Sequence, residues 1–263
     1  MTYSCLNKGT DELSEEDKIL QKDTKYTEIG RTPKEIIGNL KGIVKYEELL
    51  EFIENRGVTN NRLARKLDFE TFELIEDIWT NNSLTVNLRY IVSKNEIVYG
   101  EIESIDSNYV EIIGEYEFIN NESFIEEYVE RHNEIYAANT TTSDFYEEVI
   151  IEKNTLVKAC GYDGENYGKK EIQLFESINN RDVEYVINLL KSMNIEQQTL
   201  GVIGLERLMD RGILIDKRLK QISNHIKVKN STIFGCISCV GGHYKLEKYL
   251  NSYDWLLVSD FWR

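Results

Sequence analysis

The sequence predicts an α+β fold, with N-terminal helices and an antiparallel β-meander followed by a C-terminal helical region. Three observations predict it. A helix-start signature stands at Thr32-Pro33-Lys34-Glu35. Apolar and polar residues alternate in short runs between Leu84 and Phe118. Apolar residues then recur at three- and four-residue spacing from Val183 to Ile226.

Residues 1–30 are polar, lack a clear period, and read as a tail. Thr32 suits an N-cap, Pro33 the first helical position and Glu35 the third, the arrangement of a capping box. Ile36, Ile37, Leu40, Ile43, Val44, Leu49, Leu50 and Ile53 then fit one or two helices, ended by Gly57. Asn60–Leu67 and Phe69–Trp79 are expected as short helices. The period then changes to two. Leu84, Val86 and Leu88 alternate with Thr85, Asn87 and Arg89. Lys94-Asn95 and Asp106-Ser107-Asn108 separate this run from two more, Ile97–Ile105 and Tyr109–Phe118, which gives the meander. A helix is expected from Glu122 to Ala137, and strands at Phe145–Ile151 and Asn154–Cys160. A Gly-rich loop spans 161–168. The first folded unit is therefore expected at residues 31–160 and a helical unit at 161–263.

The chain has 263 residues, 41% of them apolar, with 16 Tyr and three Trp. That composition supports a sizeable core and excludes wholesale disorder. No apolar run approaches the ~18 residues of a membrane span.

The net charge is −15, and its distribution is uneven. Residues 96–152 carry 16 acidic residues and one basic residue, Arg131, so this stretch holds −15 by itself. The remaining 206 residues sum to zero. Nucleic acid is an unsuitable ligand for such a surface, because affinity for phosphate needs clustered Lys and Arg. A basic protein suits it. Carboxylates steer a basic surface, and tyrosines supply contact area at low entropic cost. The candidate partner-binding residues are Glu101, Glu103, Tyr109, Glu111, Glu115, Tyr116 and Glu117 on the meander. Glu126, Glu127, Tyr128, Glu130 and Glu134 add the helix. Immunity proteins that block nuclease toxins combine charge and aromatics in this way, so the expected partner is a basic toxin effector. A solvated face is the competing reading.

The four cysteines are too few for a disulfide scaffold. Cys236-Ile237-Ser238-Cys239 allows a disulfide, a redox pair, or half of a zinc site completed by Cys160 and His243. A structural disulfide between Cys236 and Cys239, or two packed thiols near a loop, is the preferred expectation, and no metal is expected. The surroundings read as helical, which suits thioredoxin-like chemistry poorly. His132, within Glu130-Arg131-His132-Asn133-Glu134, is expected in solvent. His225, beside an apolar stripe, is expected as a satisfied structural residue. Gly201-Val202-Ile203-Gly204 lies inside a helical pattern and reads as close helix packing. No phosphate loop, metalloprotease helix or nucleophile elbow is present, so no catalytic residue and no cofactor is expected.

Two resemblances follow from these residues. Val183, Val186, Ile187 and Leu190, then Leu200 to Met209, then Ile215 to Ile226, resemble HEAT or armadillo helix pairs over about residues 170–228. Leu200–Leu205, Gly212-Ile213 and the Cys236–Cys239 block are similar to the C-terminal part of uncharacterised bacterial proteins, often lipoproteins. That second resemblance implies no activity. Ser4-Cys5 with the polar run after it resembles the mature start of a lipoprotein, although no signal-peptide h-region precedes it. The localisation expected is cytoplasmic, or periplasmic and membrane-anchored if Cys5 is lipidated.

Overall fold

A computed structural model describes residues 33–54, 57–80, 84–107, 110–151, 156–158, 168–237 and 240–252. Among the described residues two helices come first, α1 (Pro33–Leu40) and α2 (Tyr46–Glu54). Five strands follow: β1 (Gly57–Lys66), β2 (Thr71–Thr80), β3 (Leu84–Ser93), β4 (Glu96–Ser107) and β5 (Val110–Asn120). They form one antiparallel sheet in chain order, β1 to β5. The fold is α+β, with the sheet next to the N-terminal helices and a helical C-terminal region.

β1 and β2 replace the two short helices expected at 60–79. The reason lies in what the strands bury. Arg65 pairs across the ladder with Glu73, and Glu73 lies opposite Ile91 on β3. Arg65 and Glu73 are both buried. Inward positions that carry charge hide the apolar alternation by which a half-buried strand is recognised. The β1–β2 turn places Phe69 and Glu70 at φ 57° and 59°, a conformation usually left to Asn and Gly. The β3–β4 turn does the same at Lys94 and Asn95.

The sheet buries both faces. On one, Leu74, Ile78, Val86, Leu88, Tyr90 and Val92 pack under Leu40, Leu49, Phe52 and Ile53 of α1 and α2. The buried Tyr90 hydroxyl donates to Glu76 at 2.8 Å on this side. On the other, Ile91, Val98 and Tyr99 pack against α3 (Glu122–Tyr136), α4 (Thr142–Phe145) and a π-helical segment at Tyr146–Ile151. The π-helix corrects the strand expected at 145–151. Its final carbonyls face the sheet, where Arg89 of β3 donates to Val149 O at 2.6 Å and also to Ile150 O.

The remaining elements are β6 (Leu156–Lys158), α5 (Lys169–Asn180), α6 (Val183–Leu190), α7 (Ile195–Asp210), α8 (Lys217–Lys227), β7 (Thr232–Ile237), β8 (Val240–Lys245) and α9 (Leu246–Ser252). Leu174, Ile178, Val186, Leu190, Leu200, Leu205 and Ile226 make a shared helical core. β6 runs parallel to β7, and β7 antiparallel to β8. A strand pair therefore lies where the sequence reads as helical, and Cys236 sits on β7 rather than in helical surroundings. Gly201 lets α7 approach α6 closely: a Cβ there would lie 2.4 Å from the Leu190 backbone nitrogen.

Candidate functional site

Helix α3 turns the acidic stretch into a face. Asn121 caps its start, its side chain accepting from Phe124 N–H at 3.1 Å. Ala137 closes the end in the left-handed region, with φ 48°. The last carbonyls, which have no partner inside a helix, are met by cations. Arg218 donates to Glu134 O at 2.8 Å and Ile135 O at 2.7 Å. Lys191 donates to Ala137 O at 2.5 Å.

The outer side of α3 exposes Glu122, Glu126, Glu127, Glu130 and Glu134. Arg131, the lone cation of the helix, lies 3.8 Å from Glu127 and 4.0 Å above the Phe69 ring. Screened contacts of this kind cancel little of the field from five carboxylates. At the start of the helix a cavity of about 220 Å³ opens between α3, α4 and the π-helix. Glu122, Ile125, Glu126, Thr142 and Tyr146 line it.

The inner side is aromatic and buried. Tyr128 is 2% exposed and packs edge-on to Phe69 and Phe145. Its hydroxyl accepts from Asp68 N–H at 3.3 Å. Tyr136 is fully buried. His132, expected in solvent, is also fully buried and stacks on Tyr136 with ring centroids 4.3 Å apart. Helical spacing explains this correction, because position 132 follows Ile125, Tyr128 and Val129 around the apolar stripe. Nε2 of His132 lies 2.9 Å from Lys191 O and therefore carries the proton. Burial lowers the imidazole pKa to about 4, so the ring is neutral.

Other candidate residues fall in different places. Glu117 is exposed on β5 and accepts from Asn120 at 3.1 Å. Glu101, expected on the binding face, is 6% exposed and accepts from the Tyr99 hydroxyl at 2.8 Å. It lies on the face of β4 that turns inward, opposite Arg89. Tyr128 is likewise withdrawn from the surface by the spacing that exposes its neighbours Glu126, Glu127 and Glu130. Glu103, Glu111, Glu115 and Tyr116 lie on β4 and β5, with side chains outside the described residues, as is Tyr109 altogether. Cys236 is disulfide-bonded. Cys5, Cys160 and Cys239 lie outside the described residues, as do residues 161–167 of the expected loop and the tail at 1–30.

Two buried polar clusters behind α3 escape sequence reasoning. In the first, the Asp68 carboxylate accepts from Lys229 Nζ at 2.8 Å, His225 Nε2 at 3.1 Å and the Tyr136 hydroxyl at 3.0 Å. Lys229 also donates to Gln198 at 2.7 Å. Burial alone would raise the Asp68 pKa. The Lys229 charge, with hydrogen bonds from His225 and Lys229, overcomes it and holds the carboxyl well below the usual range. In the second, Arg65 lies 2.9 Å from Glu73 and 2.7 Å from Glu196, while Arg89 lies 2.6 Å from Glu73. Burial pushes the Glu196 carboxyl up against the pull of Arg65. Both clusters join the sheet to the C-terminal helices, and the charges in them are paired as burial requires. Among the described residues no group of acidic, His and Cys side chains is arranged to hold a metal ion.

No family model, curated protein or solved structure matches this chain. No helix among the described residues is long and apolar enough to cross a membrane.

Proposed function

We propose that the chain is a non-enzymatic binding protein that captures a basic protein, as an immunity or inhibitor protein against a basic toxin or nuclease. One observation carries this reading. The five exposed glutamates of α3, against the one cation Arg131, form a strongly acidic face on a helix whose other side is fixed in the core. Such a face concentrates field toward a basic surface and raises its rate of encounter. The cavity beside Glu122 and Glu126 has room for the head of a lysine or arginine side chain. Because Tyr128 and Tyr136 are buried, recognition on this helix rests on carboxylates rather than on tyrosine contacts.

The test measures affinity for candidate basic toxins at low and at high salt. Binding should weaken as salt rises. Glu126→Lys with Glu130→Lys should cost at least tenfold in affinity while leaving the melting curve in place. Salt-independent binding, or unchanged affinity in the double variant, would sink the proposal.

A second reading, an exported protein with an envelope role, is favoured by the disulfide at Cys236, since such bonds persist in oxidising compartments. Thiol titration of protein from the native source decides it. Cys236 found reduced would argue against export.

A further inference from the structure

α8 turns a basic face outward. Its eleven residues hold Lys217, Arg218, Lys220 and Lys227 and no carboxylate. Lys217, Gln221, Asn224 and Val228 recur at helical spacing on the outer side, all exposed, with Lys220 beside them. Leu214, just before the helix, is 99% exposed. It is held out there, because Gly212 (φ 80°) ends α7, and Ile213 and Ile215 pack on the helical core on either side of it. Leu214 and Val228, the two most exposed large apolar residues among those described, therefore bracket one basic helix. The nearby carboxylates are engaged. Asp216 accepts from the Arg218 and Leu219 N–H groups at 2.6 and 3.2 Å, and Glu206 of α7 meets Lys227. Lys217 and Lys220 have no ion-pair partner among the described residues.

We propose that this face docks on the acidic face of α3 in a second copy of the chain, in a two-fold dimer that covers both faces. Charge complementarity selects the occupant. α3 exposes five glutamates against the one cation Arg131, and α8 offers cations with no carboxylate in its length. The two helices are also neighbours within one copy, since Arg218 donates to the Glu134 and Ile135 carbonyls at the end of α3. A molecule that carries opposite charges on neighbouring helices complements itself, and a two-fold axis lays each α3 on the other copy's α8. A polyanion such as duplex DNA or an acidic membrane fits less well. It would meet the lysines of α8 alone and be repelled by the rest of a chain of net charge −15. The same net charge sets the two copies against each other at long range, so the dimer is weak and yields to a more basic partner. The inference rests on the reading of α3 as a binding face and adds its regulation: the face is covered until a basic protein displaces the second copy.

Analytical sedimentation of the full-length chain over a wide concentration range tests this. The native chain should pass from monomer to dimer as concentration rises. Lys217→Glu with Lys220→Glu should weaken that association about tenfold or more, and so should Glu126→Lys with Glu130→Lys. Mixed one to one, these two charge-reversed variants should associate with each other again, because each acidic face then meets a basic one. Circular dichroism melting confirms that each is folded. Glutamine at the same positions replaces a variant that is not, and should weaken the dimer several-fold. A native chain that stays monomeric, variants that dimerise as the native chain does, or a charge-reversed mixture that fails to associate would overturn the proposal. A native chain that binds phosphatidylserine vesicles or duplex DNA and forms no dimer would overturn it in favour of a polyanion. Failure here is separable from failure of the binding reading. Lys217→Glu with Lys220→Glu leaves α3 intact, so its affinity for a basic toxin should equal or exceed that of the native chain.

Discussion

Asp68 and Lys229, 161 residues apart in the chain, meet at 2.8 Å in the core, where both are at most 7% exposed. The carboxylate comes from the β1–β2 turn and the ammonium from the turn after α8. The contact therefore fixes how the helical part sits on the sheet. Pairs like this are weak contributors when complete and costly when halved, because the remaining charge is left buried. Lys229→Met should destabilise the protein by about 3–5 kcal/mol. Lys229→Met with Asp68→Asn should recover a large part of that loss. Urea unfolding of the two single variants and the double variant checks the cycle. Additive effects would show that the pair is not coupled.

His132 should make the protein sensitive to mild acid. Its pKa is about 4 in the fold against an ordinary 6.5. Between those values the unfolded chain takes up a proton that the native chain refuses. The contribution is complete above pH 6.5 and is lost as pH falls toward 4, about 3 kcal/mol in all. Asp68 acts lower. Its folded pKa is depressed, so its contribution is present above the ordinary 3.8 and goes as pH falls below that. Chemical denaturation at half-unit steps from pH 7 to 4 should show the first loss. His132→Gln should flatten it. An equal slope in the variant would assign the loss to another group.

How much of this was legible in the sequence depends on what each element buries. The meander from Leu84 onward and the helix at Glu122 announce themselves, because apolar residues fill their inward positions. β1 and β2 do not. Their inward positions hold Arg65, Glu73 and Glu76, and the partners that make such burial tolerable come from β3 and α7. Long-range charge pairing leaves no local period. The acidic face was legible as composition, and α3 shows which glutamates share it. His132 was misplaced because its charged neighbours in sequence are not its neighbours in space. The Asp68 cluster joins residues at 68, 136, 198, 225 and 229, a set that no spacing rule assembles.

Gly201 and Gly204 should respond differently to alanine, although both lie inside α7. A Cβ at Gly201 meets backbone, 2.4 Å from Leu190 N and 2.6 Å from its Cα, and backbone cannot step aside. A Cβ at Gly204 meets side-chain methyls, 2.7 Å from Leu174 and 3.0 Å from Val186. Alanine gains about 1 kcal/mol in helix propensity at either site, against an overpacking cost of about 1–3 kcal/mol. Gly201→Ala, at the upper end of that cost, should therefore destabilise by a net of about 2 kcal/mol, and Gly204→Ala by distinctly less. Thermal melting of the two variants side by side gives the order, and the reverse order would contradict the packing of α6 on α7.

Arg89 should not tolerate lysine. Its guanidinium meets Glu73 through Nε at 2.7 Å and through Nη2 at 2.6 Å. It also donates to the carbonyls of Val149 and Ile150, which close the π-helix. One planar fork thus serves a carboxylate and two carbonyls at once. An ammonium is a point donor on a flexible stem and cannot span them. Arg89→Lys should cost about 2–4 kcal/mol despite keeping the charge. The loss should be local as well as global, with amide exchange rising first around Val149–Ile151. Arg89→Met should cost more, because Glu73 then keeps only Arg65 as a close cationic partner among the contacts described above. Hydrogen exchange of the native chain and both variants reads out both levels. Unchanged protection at 149–151 in Arg89→Lys would show that the π-helix is held by its own packing rather than by the arginine.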